Sequence, residues 1–224
     1  MKSWLVYIVV SQLTHSWILG LLAAVAVWYG AGSLWLGRLP NPFSPFKRWA
    51  HTRELREALA VNPHNVDVRS ELGGILATRR PAEAKELLEE VVRRCPDLAL
   101  SVYFLGVAQL ELGETDAGRA SIERALTLRR DLRWGEPLVV LGDHYTRKGD
   151  AKAAFVAYER ATEVHSSHAE AWFKAGRAAR ASGDAAKAKA HYQSTLTSTA
   201  HAPGFKRRLD RPWRWRARWA LLGA

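Results

Sequence analysis

Trp172-Phe173-Lys174-Ala175-Gly176-Arg177-Ala178-Ala179, followed by Gly183-Asp184 and then by Ala188, Tyr192 and Thr195, is the stretch whose reading decides the fold. Working outward from it, the same pattern returns. Leu138, Leu141, Gly142 and Tyr145, closed by Gly149-Asp150, Ala154, Tyr158 and Ala161, form an earlier copy. Gly176 lies 34 residues after Gly142, and Gly183 lies 34 after Gly149. Helical periodicity alone does not enforce such a spacing, whereas a repeated helix pair does. Val102, Leu105, Gly106, Gly113, Gly118, Ile122 and Ala125 make a copy before that. The first complete copy uses Leu72, Gly73, Leu76, Ala84, Leu88, Val91 and Pro96. The pattern has a packing reason. The small residue after the aliphatic one lets a paired helix approach, and Gly-Asp or Gly-Glu ends the first helix. The Ala–Tyr–Ala spacing of four and three puts one stripe on the second helix.

The opening resembles the W-x2-L-G-x2-Y signature of the tetratricopeptide repeat (TPR), and the chain is identified on it as a member of that family. The resemblance implies an all-α solenoid of about four helix pairs, with repeats at 66–98, 99–131, 135–168 and 169–198. A half-repeat at 47–63 carries His51, Leu55 and Ala58, then Pro63, which lies 33 residues before Pro96. Each repeat buries its apolar face only by stacking on a neighbour, so a lone helix at each end is expected. Residues 199–224 supply the helix at the far end.

The start of the chain reads differently. Ser3 to Gly37 holds no Asp, Glu, Lys or Arg. A bilayer span needs about 20 apolar residues, and Trp17 to Leu36 is the better part of the run, with Trp17, Trp28, Tyr29 and Trp35 toward its ends. Residues 1–37 are therefore expected to form an N-terminal transmembrane helix, and 38–46 a proline-rich extended connector. The competing reading is a signal peptide cut near Ala24-Val25-Ala26, against which the apolar run continues past the cut. Arg38, Lys47, Arg48, Arg53 and Arg56 outnumber Lys2 across the span, which places the following domain in the cytoplasm by the positive-inside rule. The layout, with Leu39-Pro40-Asn41-Pro42-Phe43 after the anchor, resembles bacterial membrane-anchored proteins with divergent TPR repeats.

In the family, the concave groove is lined by one stripe of each first helix. By spacing, that stripe is Ser70, Gly74 and Ala77; Tyr103, Val107 and Leu110; Val139, Asp143 and Thr146; and Phe173, Arg177 and Arg180. The family's best-known groove is a clamp of Lys, Asn and Arg for a terminal carboxylate. Ser70 and Gly74 stand at its first two positions, so that clamp is absent. What remains is small near the anchor, aromatic and aliphatic in the middle, and basic at the far end. It suits an apolar helix or an extended peptide with a distal acidic group. Two readings of Tyr103 and Phe173 stay open, as groove residues or as packing between repeats.

The net charge of +11 is not spread over a face. By segment it runs +1 over 1–37, +3 over 38–63, −2 over 64–168, +3 over 169–198 and +6 over 199–224. In the last segment Trp215, Trp219 and Leu222 fall on one helical stripe and Arg207, Arg211, Arg214 and Arg218 on another. That arrangement suits an anionic membrane surface, or else a capping helix with solvated arginines. Nucleic acid is the weaker partner for it and is not expected. Cys95 is the one cysteine, so neither an intramolecular disulfide nor a cysteine zinc site can form. His165-Ser166-Ser167-His168 lacks a third ligand nearby, and Asp143-His144 are helix neighbours that point apart. No phosphate-binding glycine loop or nucleophile motif is present. No cofactor is expected. The sequence thus points to a membrane-anchored binding scaffold without catalysis. A periplasmic TPR chaperone and an RNA-associated adaptor are the alternatives.

Overall fold

The structure is a computed structural model. It describes residues 44–200 and 202–223, together with Ile8, Ser11, Gln12, Trp17, Ile18, Leu19, Leu21 and Ala23, each of which is helical. Apart from those eight residues, the expected transmembrane helix at 1–37 lies outside the described residues, as does most of the 38–46 connector. Among those described, no helix is long and apolar enough to cross a membrane. The chain divides into two compact units, residues 1–53 and 54–224.

Helix α1 spans Ser44–Val61 and takes in Pro45, expected as connector. A proline in the first turn costs nothing, because its missing N–H would have no intrahelical acceptor there. Four helix pairs follow: α2 (Val66–Leu76) with α3 (Pro81–Arg94), α4 (Ala99–Glu111) with α5 (Thr115–Leu128), α6 (Glu136–Lys148) with α7 (Ala151–Val164), and α8 (Ala169–Ala181) with α9 (Ala185–Thr197). A short α10 (Gly204–Leu209) and α11 (Arg211–Leu222) end the described chain. The described residues contain no strand.

Local chemistry sets the bounds. Gly113, Gly149 and Gly183 all sit at φ between 82° and 88° and end α4, α6 and α8. At Gly149 the following N–H, of Asp150, reaches back to the Tyr145 carbonyl at 3.0 Å while the Gly149 N–H bonds Thr146 at 3.1 Å. This is a Schellman cap, which needs a left-handed residue at its corner. The next residue then starts the partner helix, and the Asp150 carboxylate accepts from the Ala153 N–H at 2.9 Å. The first pair departs from the pattern. Arg80 stands at the glycine position with φ −135°, and Pro81 opens α3 instead.

Each pair closes on one contact. A Cβ added at Gly142 would lie 2.5 Å from the Tyr158 ring, at Gly176 2.6 Å from Tyr192, at Gly73 2.6 Å from Leu88 and at Gly106 2.9 Å from Ile122. The four partner side chains are at most 2% exposed. In every pair a large side chain of the second helix thus lies flat on the bare backbone of the first. Stacking then joins the pairs. Leu55 and Leu59 of α1 enter the core of the first two pairs, and Leu126, Tyr145 and Phe155 bridge between cores. At the far end Ala217 of α11 is fully buried against α8 and α9, with Trp213 and Leu221 packed beside it.

One joint breaks the period. Gly142 comes 36 residues after Gly106, not 34. The surplus is taken up by the single 3-10 turn Leu132–Gly135, in which Arg133, Trp134 and Gly135 are all left-handed, at φ 46°, 52° and 85°. For a residue with a Cβ that conformation costs about 1–2 kcal/mol. Leu132, 2% exposed, anchors the turn in the core, and Trp134 stands out at 70%.

Two glycine substitutions separate packing from backbone conformation. Gly142→Ala drives a methyl into the Tyr158 ring and should cost about 1–3 kcal/mol. Gly149→Ala meets nothing within 4 Å and should cost only the left-handed backbone term, about 1 kcal/mol. Gly149→Asn should recover part of that loss, and Gly142→Asn none. Thermal unfolding of the full chain in detergent measures all four variants.

Candidate functional site

The first helices α2, α4, α6 and α8 supply one continuous lining. Across the first three, an open groove of about 550 Å³ is bounded by Gly74 of α2 and Thr78 in the turn after it, Phe104 and Glu111 of α4, and Val140, Asp143 and Arg147 of α6. It continues into a smaller recess of about 170 Å³ between α6 and α8, lined by Asp143, Thr146, Lys174, Arg177 and Ala181.

The structure sorts the residues expected from sequence. Asp143, Arg177 and Arg180 are reachable, the two arginines being exposed. Val107 borders the groove but is only 4% exposed. Leu110 faces the other way, its Cδ2 lying where a Gly118 Cβ would be. Tyr103 is 2% exposed, and its hydroxyl donates to Glu136 of the next first helix at 3.2 Å. Burial pushes that hydroxyl well above its ordinary pKa, with Glu136 adding to the shift. Phe173 is 6% exposed, packed 5.6 Å from the Tyr192 ring and 5.8 Å from Trp213. For these two aromatics the packing alternative describes the geometry: Tyr103 enters the seam between α4 and α6, with only its edge bordering the groove, and Phe173 enters the seam between α8, α9 and α11. The side chains that reach the groove come one residue later: Phe104, Val140 and Lys174, each partly exposed. One residue turns the stripe by about 100°, from the seam to the open face.

Charges along the groove are tied across repeats. Arg147 pairs with Glu111 at 2.7 Å, and Lys174 pairs with both Asp143, at 2.7 Å, and Glu170, at 2.6 Å. The Tyr158 hydroxyl also donates to Asp143 at 2.7 Å. The Arg147 hydrogen bond holds the Glu111 carboxyl below its ordinary pKa. Outside the groove, Lys85–Glu114 and Glu123–Arg160 make the same step from one pair to the next, at 2.7 and 2.5 Å. Arg177 ion-pairs with no described residue, and Arg180 donates to the Gly223 carbonyl at 3.0 Å.

The remaining polar candidates are structural. His144 is 3% exposed and shares a 3.0 Å hydrogen bond with Thr115, on the far side of α6 from Asp143. His168 caps α8, its Nδ1 accepting from the Ala171 N–H at 3.3 Å, while His165 meets Ser167. Among the described residues no group of three His, Cys, Asp or Glu is placed to hold a metal ion.

At the end of the solenoid, Arg207, Arg211, Arg214, Arg218 and Trp215 come together around one hollow. Trp219 is 66% exposed but is not part of it. Sequence spacing missed Arg208, which joins them because α10 and α11 meet at a bend rather than continuing as one helix.

A stack of helix pairs with an open, ion-paired groove along its first helices is the architecture of a repeat solenoid. The tetratricopeptide-repeat family model matches residues 76–137 and 139–203, more than half of the chain. The chain belongs to that family. No curated protein sequence matches it. Among solved structures it is similar to MamA, at 24% identity over 66% of this chain and 85% of that one, with a TM-score of 0.57. It is also similar to TTC0263, a thermophilic TPR protein of Thermus thermophilus, at 19% identity over 80% and 93%, TM-score 0.58, and to YrrB, at 18% over 75% and 85%, TM-score 0.52. At these identities the likeness is one of fold.

The buried histidines give a pH signature. Burial is the first cause lowering the pKa of His144, His168 and His191 from 6.5. A base whose folded pKa is depressed binds fewer protons folded than unfolded, so stability falls as pH drops below the unfolded value. Glu111 and Glu123 are held low by Arg147 and Arg160, and their contribution is lost only lower, through the ordinary carboxylate range near 4.5. The unfolding temperature should therefore drop already between about pH 7 and pH 5.5. In His144→Gln the drop should be smaller, as scanning calorimetry at the two pH values measures.

Proposed function

We propose that the protein is a membrane-anchored interaction scaffold whose groove holds a segment of a partner protein at the cytoplasmic face, with no catalytic step of its own. The observation that carries this reading is the open groove running from Gly74 past Phe104 to Val140, at whose far end Arg177 has no carboxylate partner among the described residues. Phe104 and Val140 offer apolar contact, and the Glu111–Arg147 and Asp143–Lys174 pairs give polar edges. The occupant is an extended or helical segment with apolar side chains and an acidic group placed for Arg177. YrrB, which shares the fold, has an unusual peptide-binding site, and peptide capture here rests on the same kind of surface.

The anchor is supported by the charge-free run Ser3–Gly37 and by apolar side chains left open to solvent: Trp17 is 66% exposed, and Ile18, Leu19 and Leu21 are near half. On the same reading the tail is a second membrane contact through Arg207, Arg211, Arg214, Trp215, Arg218 and Trp219. Its support is that α11 caps the stack with Ala217 and Trp213 while Trp215, Trp219 and Leu222 stay 49%, 66% and 80% exposed.

Two experiments test this. A photo-crosslinker at Phe104 should capture one partner in native membranes, one at the outer position Arg119 should not, and Arg177→Glu should abolish the Phe104 adduct without lowering the unfolding temperature. Equal adducts from both positions would sink the groove. The full-length chain should stay in the membrane pellet through alkaline carbonate, and a reporter fused after Ala224 should be cytoplasmic. Release by carbonate removes the anchor, and a periplasmic reporter selects the reversed orientation.

A further inference from the structure

The last two helices carry an imbalance of charge found nowhere else in the chain. From Ala185 to Ala224 the one acidic residue is Asp210, against nine Lys and Arg. Asp210 is already engaged. Lys206 Nζ lies 3.0 Å from its Oδ2, an ion pair without hydrogen-bond geometry. Arg216 is placed over the Trp213 ring, 4.7 Å from its centre. That leaves Arg207, Arg208, Arg211, Arg214 and Arg218, which converge with Trp215 on an open hollow of about 460 Å³. None of the five ion-pairs with a described residue. In the solenoid body, by comparison, Arg147 and Arg160 each grip a glutamate of the preceding pair. The Nε–H of Arg214 is shielded from solvent and donates to no protein acceptor, a cost that this arrangement of the cluster leaves uncompensated.

The chemistry of the ligand follows. A guanidinium stays charged at every physiological pH, so five around one hollow repel each other until an anion enters. Its planar fork matches phosphate oxygens two at a time. A lipid phosphodiester presents fewer free oxygens than the three of a phosphomonoester, too few for five forks. Trp215, half exposed at the edge of the hollow, fits the boundary between headgroup and acyl chain, where indoles settle.

We propose that this hollow is a discrete site for a headgroup bearing two phosphates, presented by an anionic lipid of the cardiolipin type. It rests on the reading of the tail as a membrane contact and replaces diffuse attraction by a built site. Diffuse attraction responds to charge density alone, whereas this site responds to how phosphates are grouped.

The full chain in neutral detergent, offered cardiolipin or phosphatidylglycerol at equal phosphate, tests the site by native mass spectrometry of retained lipid. Cardiolipin should be retained at least about tenfold more per phosphate, the difference of about 1.4 kcal/mol that separates a site from a surface. Replacing Arg207, Arg211 and Arg218 together by Gln should bring cardiolipin down to the phosphatidylglycerol level. Replacing Arg79, Arg119 and Arg130 by Gln, the same change of charge elsewhere, should not. Arg211→Lys keeps the charge and loses the fork, and should lose most of the preference without affecting folding. Equal retention of the two lipids, or equal loss in the control triple variant, overturns the site. Inorganic pyrophosphate bound as tightly as cardiolipin overturns the lipid assignment, and displacement of cardiolipin by single-stranded RNA overturns it in favour of nucleic acid. The Phe104 crosslink should persist in the Arg207/Arg211/Arg218 variant, so failure here leaves the groove standing, and failure of the groove leaves this site standing.

Discussion

The two helices of every pair meet where a large side chain lies on a glycine: Tyr158 on Gly142, Tyr192 on Gly176, Leu88 on Gly73 and Ile122 on Gly106. The rest of the solenoid depends on that approach. It fixes the distance between paired helices, and so which face of each first helix is left for the next pair. With α5, the second pair goes further, because Gly118 lies opposite Gly106 and the two backbones come close together, leaving Leu110 to fill the space beside them. A residue assigned to the groove by spacing becomes part of the pair's own core for that reason.

Stacking uses what pairing leaves over. The seam between consecutive first helices takes Tyr103 against Glu136, and the seam between α8 and the capping helix α11 takes Phe173 against Trp213. The outer seam takes the cross-repeat ion pairs Lys85–Glu114 and Glu123–Arg160. Exposed pairs of this kind add at most about 1 kcal/mol each, so they set register more than they hold the stack. Burial does the holding, through residues such as Leu72, Leu88, Ile122 and Leu138, each at most 2% exposed. The left-handed turn at Arg133 and Trp134 shows what register is worth. Two residues with side chains accept an unfavourable conformation so that α6 can meet α4 with Glu136 under Tyr103.

The fold was legible because its determinants are local and periodic. Gly149-Asp150 and Gly183-Asp184 specify a cap and a restart within two residues, and a spacing of 34 repeats them. The groove was less legible. Tyr103, Val139 and Phe173 of the expected stripe are buried while their neighbours Phe104, Val140 and Lys174 are partly exposed, because one residue on a helix is about 100°, enough to exchange a seam for a surface. Only the tilt between neighbouring pairs decides it, and no single repeat encodes that tilt. The surplus of two residues before Gly142 was visible in the spacing, yet its left-handed solution was not, since neither Arg133 nor Trp134 favours that conformation by itself. Arg208 was hidden by a different cause, the bend between Leu209 and Arg211 that breaks a helical stripe into two.

Charge is distributed by the same hierarchy. In the third pair the basic groove residue finds a carboxylate one repeat away, as Arg147 finds Glu111. The fourth pair begins to run short. Lys174 still has Asp143 and Glu170, but Arg177 has no described partner and Arg180 reaches a main-chain carbonyl. In the capping helices only Asp210 is left to answer for a group of arginines. Arg147, Arg160 and Lys174 take their carboxylates from the preceding pair, and for the capping helices that supply fails, because α9 carries no Asp or Glu. The basic surface on the cap is therefore a consequence of what the fourth pair lacks as much as of which residues were placed in the tail.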